Sequence, residues 1–412
     1  MGDRIDVPIE LEGFDVGPAE VINGVLEVDV ASTRAEACHH CGSVDVIGHG
    51  RTIRRIRDRA CGYPTVLRWS QRRFKCRDCK RTCRERHPEL PGTRSITKRF
   101  RYRLFERAVA RPFTDIAAEE DVSSYRVLEA FEWHATTELL ETHYEAPRVV
   151  AIDESAFRKH LRFHTVLSDP ERGIVFDLVE GRDRASALTA FARMEPQVRA
   201  QVETVVMDPH WQFRQAAEQM FPHARIVADK FHIIRAISYA AQKVRKEEGR
   251  REVPRREDGR LAPRSHHKRF EPSIFQIRWI FAKRASRLSE QERQRLRVVF
   301  DMKPRIEVAW LMKEAFNAIY DAPDRIEGER RLEVWIFNLD AAGLPGLITV
   351  WKQLDKWREQ ILAYFDDGMT NAFAEGITNK IKVMKRVSYG FRNSERYRQK
   401  VLLSFRHRRS LG

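Results

Sequence analysis

The chain has 412 residues, 42% of them hydrophobic and 33% charged, enough for two to four domains with sizeable cores. No run of 18 or more apolar residues occurs, which argues against a membrane span, and the first residues lack the basic-then-apolar pattern of a secretory leader, so a cytoplasmic location is expected. Against 59 Asp and Glu stand 75 Lys and Arg, a formal charge of +16 that points to a polyanionic partner, with arginine suited to bidentate phosphate contacts.

Residues 1–30 read as a short β-rich lead-in, with Val21, Val25, Val28 and Val30 among acids, and carry no functional signal. Two pairs follow, Cys38-His39-His40-Cys41 and Cys76-Arg77-Asp78-Cys79, with 34 residues between them (42–75). Two residues between cysteines let both thiolates grip one tetrahedral zinc from a tight knuckle. A disulfide framework fits poorly in a cytosolic chain. The gap exceeds that of a compact ribbon, and a hairpin through Thr65-Val66-Leu67-Arg68-Trp69 is expected to fill it. Cys61 and Cys83 read as spare thiols; His39, His40 and His49 are substitute ligands. Arg51, Arg54, Arg55, Arg57, Arg59, Arg68, Arg72, Arg73 and Arg77 suggest that this module also touches phosphate.

Residues 95–145 read as helices. Phe100, Leu104 and Ala108 keep helical spacing, and Arg111-Pro112 breaks the first helix. Residues 114–127 then fit a helix-turn-helix: the apolar pair Ile116 and Ala117, a turn position, Val122 closing the corner, and Ser123 capping the recognition helix. The turn position favours Gly because φ is positive there; Asp121 can adopt it at a cost. Ser124, Tyr125 and Arg126 would face the DNA groove. A plain helical linker is the other reading of this stretch.

From 148 the pattern becomes α/β. Strands are expected over 149–154, 161–168 and 174–179, then a helix over 184–194, a strand over 204–208, a helix over 210–220, a strand over 225–228 and a helix from near Asp229. Three antiparallel strands followed by αβαβα is the order of a ribonuclease-H-like fold. Two of these strands deliver an acid at the carboxyl end, in Val149-Val150-Ala151-Ile152-Asp153 and Val205-Val206-Met207-Asp208. A single strand-end Asp can simply begin a turn. Two suggest a site for divalent cations, because a carboxylate among apolar strands is costly unless something pairs with it.

Residues 245–270 are charged and poor in apolar side chains, and read as a mobile loop. Residues 272–365 return to helical periodicity, with Trp279, Phe281, Leu311, Trp335, Ile336, Trp351, Leu354 and Trp357 as expected core. After this inserted helical block, a helix through 371–386 places Ile377, Ile381 and Met384 on one face and Glu375, Asn379, Lys382 and Arg386 on another. Alone, the second face is an ordinary solvated one. Beside two strand-end aspartates, Glu375 becomes the expected third carboxylate, and Lys380, Lys382, Lys385 and Arg386 candidate phosphate contacts.

From about Cys38 to Phe405 these features resemble the ISL-three family of bacterial insertion-sequence transposases. The resemblance rests on the paired CxxC module, the helix-turn-helix, Ala151-Ile152-Asp153-Glu154, Val206-Met207-Asp208-Pro209, Ala228-Asp229-Lys230-Phe231-His232, and Glu375-Gly376 through Asn379-Lys380-Ile381-Lys382 to Tyr389-Gly390-Phe391. It implies a DDE transposase whose metal-binding acids are Asp153, Asp208 and Glu375. Asp229 belongs to the same pattern and stays open as the second acid or a supporting residue. Such chemistry uses two Mg²⁺ (or Mn²⁺) ions roughly 3.5–4 Å apart on oxygen ligands, which needs the three carboxylates within roughly 10 Å of one another. One structural Zn²⁺ would sit on Cys38, Cys41, Cys76 and Cys79.

The expected architecture is multidomain α/β. A zinc module (1–90) and a helix-turn-helix domain (91–146) precede a ribonuclease-H-like core (147–240), a helical insertion (241–368) and a final core segment with the third acid (369–412). Partners would be double-stranded DNA, as element ends and target, and further copies of the chain in a homodimer or larger assembly on the nucleoid. Two alternatives remain at this point: a DNA-binding regulator whose acidic core is inactive, and a plain nuclease of the same fold.

Overall fold

The computed structural model describes residues 11–90, 95–141, 145–158, 161–250, 272–369 and 372–406. The chain divides into two compact units, one made of Met1–His143 with Val383–Gly412 and the other of Tyr144–Lys382.

The first unit opens with five strands: β1 (Phe14–Ile22), β2 (Val25–Ser32), β3 (Val46–Cys61), β4 (Tyr63–Cys76) and β5 (Thr82–Arg84). They form one sheet in the order β1-β2-β4-β3, with β5 on β4. The β1–β2 turn is Asn23-Gly24, both with positive φ, the conformation that matches the right-handed twist of a two-residue hairpin. Buried and less buried residues alternate along β4, so Thr65, Leu67 and Trp69 face a core shared with Leu26, Val28, Val30 and Ile56. The expected hairpin between the cysteine pairs is the long antiparallel β3–β4 ribbon.

Three helices follow: α1 (Lys98–Ala108), α2 (Phe113–Glu119) and α3 (Ser124–Leu140). Phe100, Leu104 and Ala108 are fully buried, and α2 starts directly after Pro112, as the sequence pattern requires. The last helix among the described residues, α17 (Ser394–Arg406), belongs to this same unit. Leu403 joins the α1–α3 core, Lys400 Nζ donates to Arg111 O (2.6 Å), and Arg396 pairs with Glu132 (2.7 Å). Within the expected final segment, 369–412, α17 packs its apolar face on α3, and amphipathic spacing alone does not say which partner covers a face.

The second unit carries β6 (Val149–Arg158), β7 (Arg162–Asp169), β8 (Ile174–Glu180), β9 (Thr204–Met207) and β10 (Arg225–Ala228). The sheet order is β10-β9-β6-β7-β8. β6, β7 and β8 are antiparallel neighbours, whereas β9 and β10 run parallel to β6 and to each other. The connecting helices are α4 (Arg184–Ala192), α5 (Pro196–Arg199), α6 (Trp211–Met220) and α7 (Lys230–Glu248). Parity sorts the sheet's two faces. Val150, Ile152, Val205, Met207 and Ala228 face the large core with α4, α6 and α7, while Val149, Ala151, Val206 and Val227 face Ala363 and Ala374.

The helical block comprises α8 (Pro272–Gln276), α9 (Arg278–Ala282), α10 (Glu290–Met302), α11 (Pro304–Ile319), α12 (Arg325–Ala341), α13 (Pro345–Leu354), α14 (Arg358–Leu362) and α15 (Tyr364–Asp367), and α16 (Ala372–Val387) follows it. Phe281, Trp335, Trp351, Leu354 and Trp357 are buried as expected, and Ile336 is half-buried. Two core expectations fail: Trp279 is 70% and Leu311 51% exposed. The short α9 turns Ile280 and Phe281 inward. On α11 the buried set Ala309, Met312, Lys313 and Phe316 leaves Leu311 on the opposite side of the helix. Residues 245–248, read as loop, are instead the last turn of α7, where buried Arg245 donates to Ile274 O (2.6 Å) and Gln242 Oε1 (2.6 Å). Residues 251–270 of that loop lie outside the described residues.

Candidate active site and metal centres

The register of the parallel strands sets out the acids. Ile152 pairs with Met207, and Met207 with Ala228, so the next residues, Asp153, Asp208 and Asp229, stand abreast; β9 and β10 end just before their acids, but β6, expected to end at 154, runs on to Arg158 because β7 keeps pairing with it, so Asp153 is mid-strand. Neighbouring strands are about 4.8 Å apart. All three acids follow the parity of Val149, Val206 and Val227, which is the face that Ala374 of α16 covers.

Asp153 is 9% exposed. Its Oδ2 accepts from Thr378 Oγ1 (2.7 Å) and its Oδ1 from the backbone N–H of Glu154 (2.7 Å). Burial, and secondarily the nearby charge of Asp208, push its carboxyl up to about 6 against these two donors. His232 Nδ1 reaches both Asp208 Oδ1 (2.9 Å) and Asp229 Oδ2 (2.8 Å). Its bonds to Asp208 first and Asp229 second raise the imidazole to about 10. Asp229 also caps α7, accepting from His232 N (3.3 Å). Asp208, Asp229 and His232 form a group close enough to hold an ion.

Glu375 lies in the first turn of α16 with its side chain exposed, three residues before Thr378. Ile377, Ile381 and Met384 are buried and Asn379, Lys382 and Arg386 exposed, as the helical spacing requires; Lys380 and Lys385 are half-buried. Sequence reasoning gave Thr378 and His232 no role. The spacing Asp229-x-x-His232 at a helix start was a usable signal for His232. Nothing local marks Thr378, whose partner is 225 residues away.

At the other end of the chain the four cysteines meet. Sγ of Cys38 is 3.5 Å from that of Cys79, Sγ of Cys41 is 3.6 Å from that of Cys76, and the thiols are free. All four sulfurs lie within 4.8 Å of one another. Each knuckle turns on a positive φ directly after its second cysteine, at Gly42 and at Lys80. The backbone N–H of His40 is the leading influence that draws the Cys38 thiol down to about 6. Four clustered thiolates repel one another unless a cation sits among them, and the set fits a tetrahedral zinc. Cys61, Cys83, His39, His40 and His49 are not part of the group. Several of the module's arginines are held by acids: Arg55 by Glu27, Arg68 by Asp29, Arg72 by Glu85 and Arg57 by Asp121. Arg51, Arg59 and Arg73 are exposed.

In the helix-turn-helix, Asp121 has φ 49°, Val122 N donates to Ala117 O (3.0 Å), and Ser123 Oγ accepts from Arg126 N (3.3 Å). Ile116 and Ala117 are buried beneath α3. Ser124 and Tyr125 are exposed, Tyr125 by 71%, while Arg126 is half-buried, 3.6 Å from Glu129. No helix among the described residues is long and apolar enough to cross a membrane.

Comparison with known proteins bears on both centres. Residues 150–401 match the ISL3 DDE family, described as transposase, and residues 34–79 match the zinc-finger of transposase IS204/IS1001/IS1096/IS1165. The chain is 23% identical to the transposase for insertion sequence element IS1001 of Bordetella parapertussis over 378 residues, 89% of this chain and 88% of that protein. Over 271 residues, 63% of this chain and 61% of the relative, it is 25% identical to the transposase for insertion sequence element IS1557 of Mycobacterium tuberculosis. These matches favour the enzyme over the inactive regulator. With the family's span reaching across more than half of its length, the chain belongs to the ISL3 family of DDE transposases, enzymes that cut DNA and transfer its strands.

Proposed function

We propose that this transposase cuts and joins DNA with Asp153, Asp208 and Glu375 on a ribonuclease-H-like core, using Mg²⁺, for which Mn²⁺ can substitute, as a pair of ions. The observation that carries the assignment is the bond from Thr378 Oγ1 to Asp153 Oδ2. It ties α16 to the middle of β6, where the parallel pairing with β9 stops, and Glu375, one turn earlier, has its Cβ only about 5–6 Å from that of Thr378 by helix geometry. The ribonuclease-H-like reading is supported by the strand order, by antiparallel β7 and β8, and by the αβαβα continuation. Asp208 is preferred to Asp229 as second acid because its charge acts on Asp153, while Asp229 is occupied with capping α7.

Bound divalent cations would supply Lewis-acid activation and neutralise charge at the scissile phosphate. The chain's own residues do the rest. Thr378 and the Glu154 N–H favour the ionised form of Asp153, and His232 fixes the orientation of Asp208. Water adds to phosphorus and the P–O3′ bond breaks, the 3′ oxygen leaving with a proton; the freed 3′-hydroxyl then attacks a target phosphate, whose own P–O3′ bond breaks, that 3′ oxygen taking up the proton. Lys380, Lys382, Lys385 and Arg386 are proposed phosphate contacts, and Ser124, Tyr125 and Arg126 base contacts. A homodimer on DNA in the nucleoid suits a reaction with two element ends, and zinc on the four cysteines shapes the N-terminal module. Domain limits of 1–90, 91–146, 147–240 and 241–368 fit this reading, with the third acid's helix in the core and 394–406 in the DNA-binding unit.

The test is cleavage by full-length protein of duplexes carrying the inverted repeats that flank its gene. Asp153→Asn, Asp208→Asn and Glu375→Gln should each abolish Mg²⁺-dependent cutting while DNA is still bound, and Asp229→Asn should leave residual activity. Undiminished cutting by Glu375→Gln would remove that residue from the site.

A further inference from the structure

An open cavity of about 520 Å³ lies at the N-terminal ends of α4 and α6, lined by Arg182, Asp183, His210, Trp211 and Gln212. Trp211 is three residues beyond Asp208, and the guanidinium of Arg182 is 3.5 Å from Glu154, which has the strand parity opposite to that of Asp153. Resting on the assignment of the acids to DNA cutting, we infer that this cavity takes one unpaired nucleotide of the bound DNA, its base stacked on Trp211 and its backbone held by Arg182.

Trp211 is 52% exposed, a large apolar surface to leave in water. It is nonetheless held in place. The Arg214 guanidinium lies 5.3 Å from the Trp211 ring centre and 5.4 Å from that of Trp357, and Arg214 is itself fixed by Glu218 Oε1 (2.7 Å) and Lys356 O (2.7 Å). An aromatic face that is anchored and still open is a stacking platform, and every base has a π-face to offer it. Arg182 is anchored likewise, 4.1 Å over the Phe163 ring, with half of its side chain open to solvent. The one acid in the lining, Asp183, is committed to capping α4 through Ser186 N (2.8 Å). The volume suffices for a single nucleotide lying in an open recess.

The test measures DNA affinity of the full-length protein in Ca²⁺. One probe is a duplex end bearing a short single-stranded thymidine tail, and the other is the same duplex with an abasic tail. Wild type should prefer the base-bearing tail by about fivefold to a hundredfold, the range expected for base–aromatic stacking. Trp211→Ala should abolish the preference and Trp211→Phe should restore most of it. Arg182→Ala should weaken both probes equally. Failure of wild type to discriminate, or equal discrimination by Trp211→Ala, overturns the proposal. A parallel cleavage assay in Mg²⁺ reads the catalytic assignment separately: lost cutting with intact Trp211-dependent discrimination would fault the acids and not the pocket.

Discussion

Replacing Thr378 by Val removes one hydroxyl and keeps nearly the same shape. The hydroxyl donates to a carboxylate that is almost wholly buried, so little water is available to take its place. A hydrogen bond to a charged group is worth about 1.5–3 kcal/mol. At 1.36 kcal/mol per pKa unit, losing it raises the Asp153 carboxyl by about one to two units. The wild-type group already stands at about 6, so the variant carries a protonated Asp153 over much of the neutral range. The assay is single-turnover cleavage as a function of pH at one subsaturating Mg²⁺ concentration. The acidic limb should move upward by about one to two units, costing about ten- to a hundredfold in rate below it and little above. Thr378→Ser should track wild type. A uniform loss at every pH would mean that Thr378 serves packing alone, and the reasoning would be refuted.

Asp153→Asn should abolish cutting yet raise the melting temperature of the metal-free second unit near pH 7.5. An acid whose folded value is raised to about 6 lends stability that is full below its ordinary range and is lost as pH climbs through 6. The gain, at about 2–4 °C per kcal/mol, should shrink toward pH 4, and differential scanning fluorimetry across pH checks both signs. Cys76→Ser should release the bound zinc and unfold the N-terminal module, read by metal analysis and circular dichroism; an ordered, metal-free module would contradict the zinc assignment. Arg126→Ala should relax sequence preference by about 1–3 kcal/mol per lost bidentate contact, seen in competition binding, whereas Arg73→Ala should weaken all sequences alike and flatten the salt dependence.

Much of this molecule is written locally. The run Val149-Val150-Ala151-Ile152 is apolar on both parities because both faces of β6 are covered, and Asp153 interrupts it at the parallel strands' ends. Asp121 could be picked out as the strained corner of the helix-turn-helix because the pattern around it demands a positive φ. What escaped depends on distance along the chain. Thr378 looks like any helical threonine until β6 is placed beside it. Trp279 fits the helical periodicity of its block and so reads as core, although a five-residue helix has room to bury only one side. Counting arginines overstated the cations free for phosphate, since Glu27, Asp29 and Glu85 claim theirs through cross-strand pairing that no local pattern reveals.

The placement of α17 has a consequence for the order of events during synthesis. Its Leu403 fills part of the core under α1–α3, and Ser404 and Lys400 satisfy the carbonyls of Val109 and Arg111. Those carbonyls and that apolar surface therefore wait until residues 394–406 have left the ribosome. The second unit, contiguous in sequence, has all its strands translated earlier and can complete its sheet first. A nascent chain thus holds Asp153, Asp208 and Asp229 in place before its helix-turn-helix is finished.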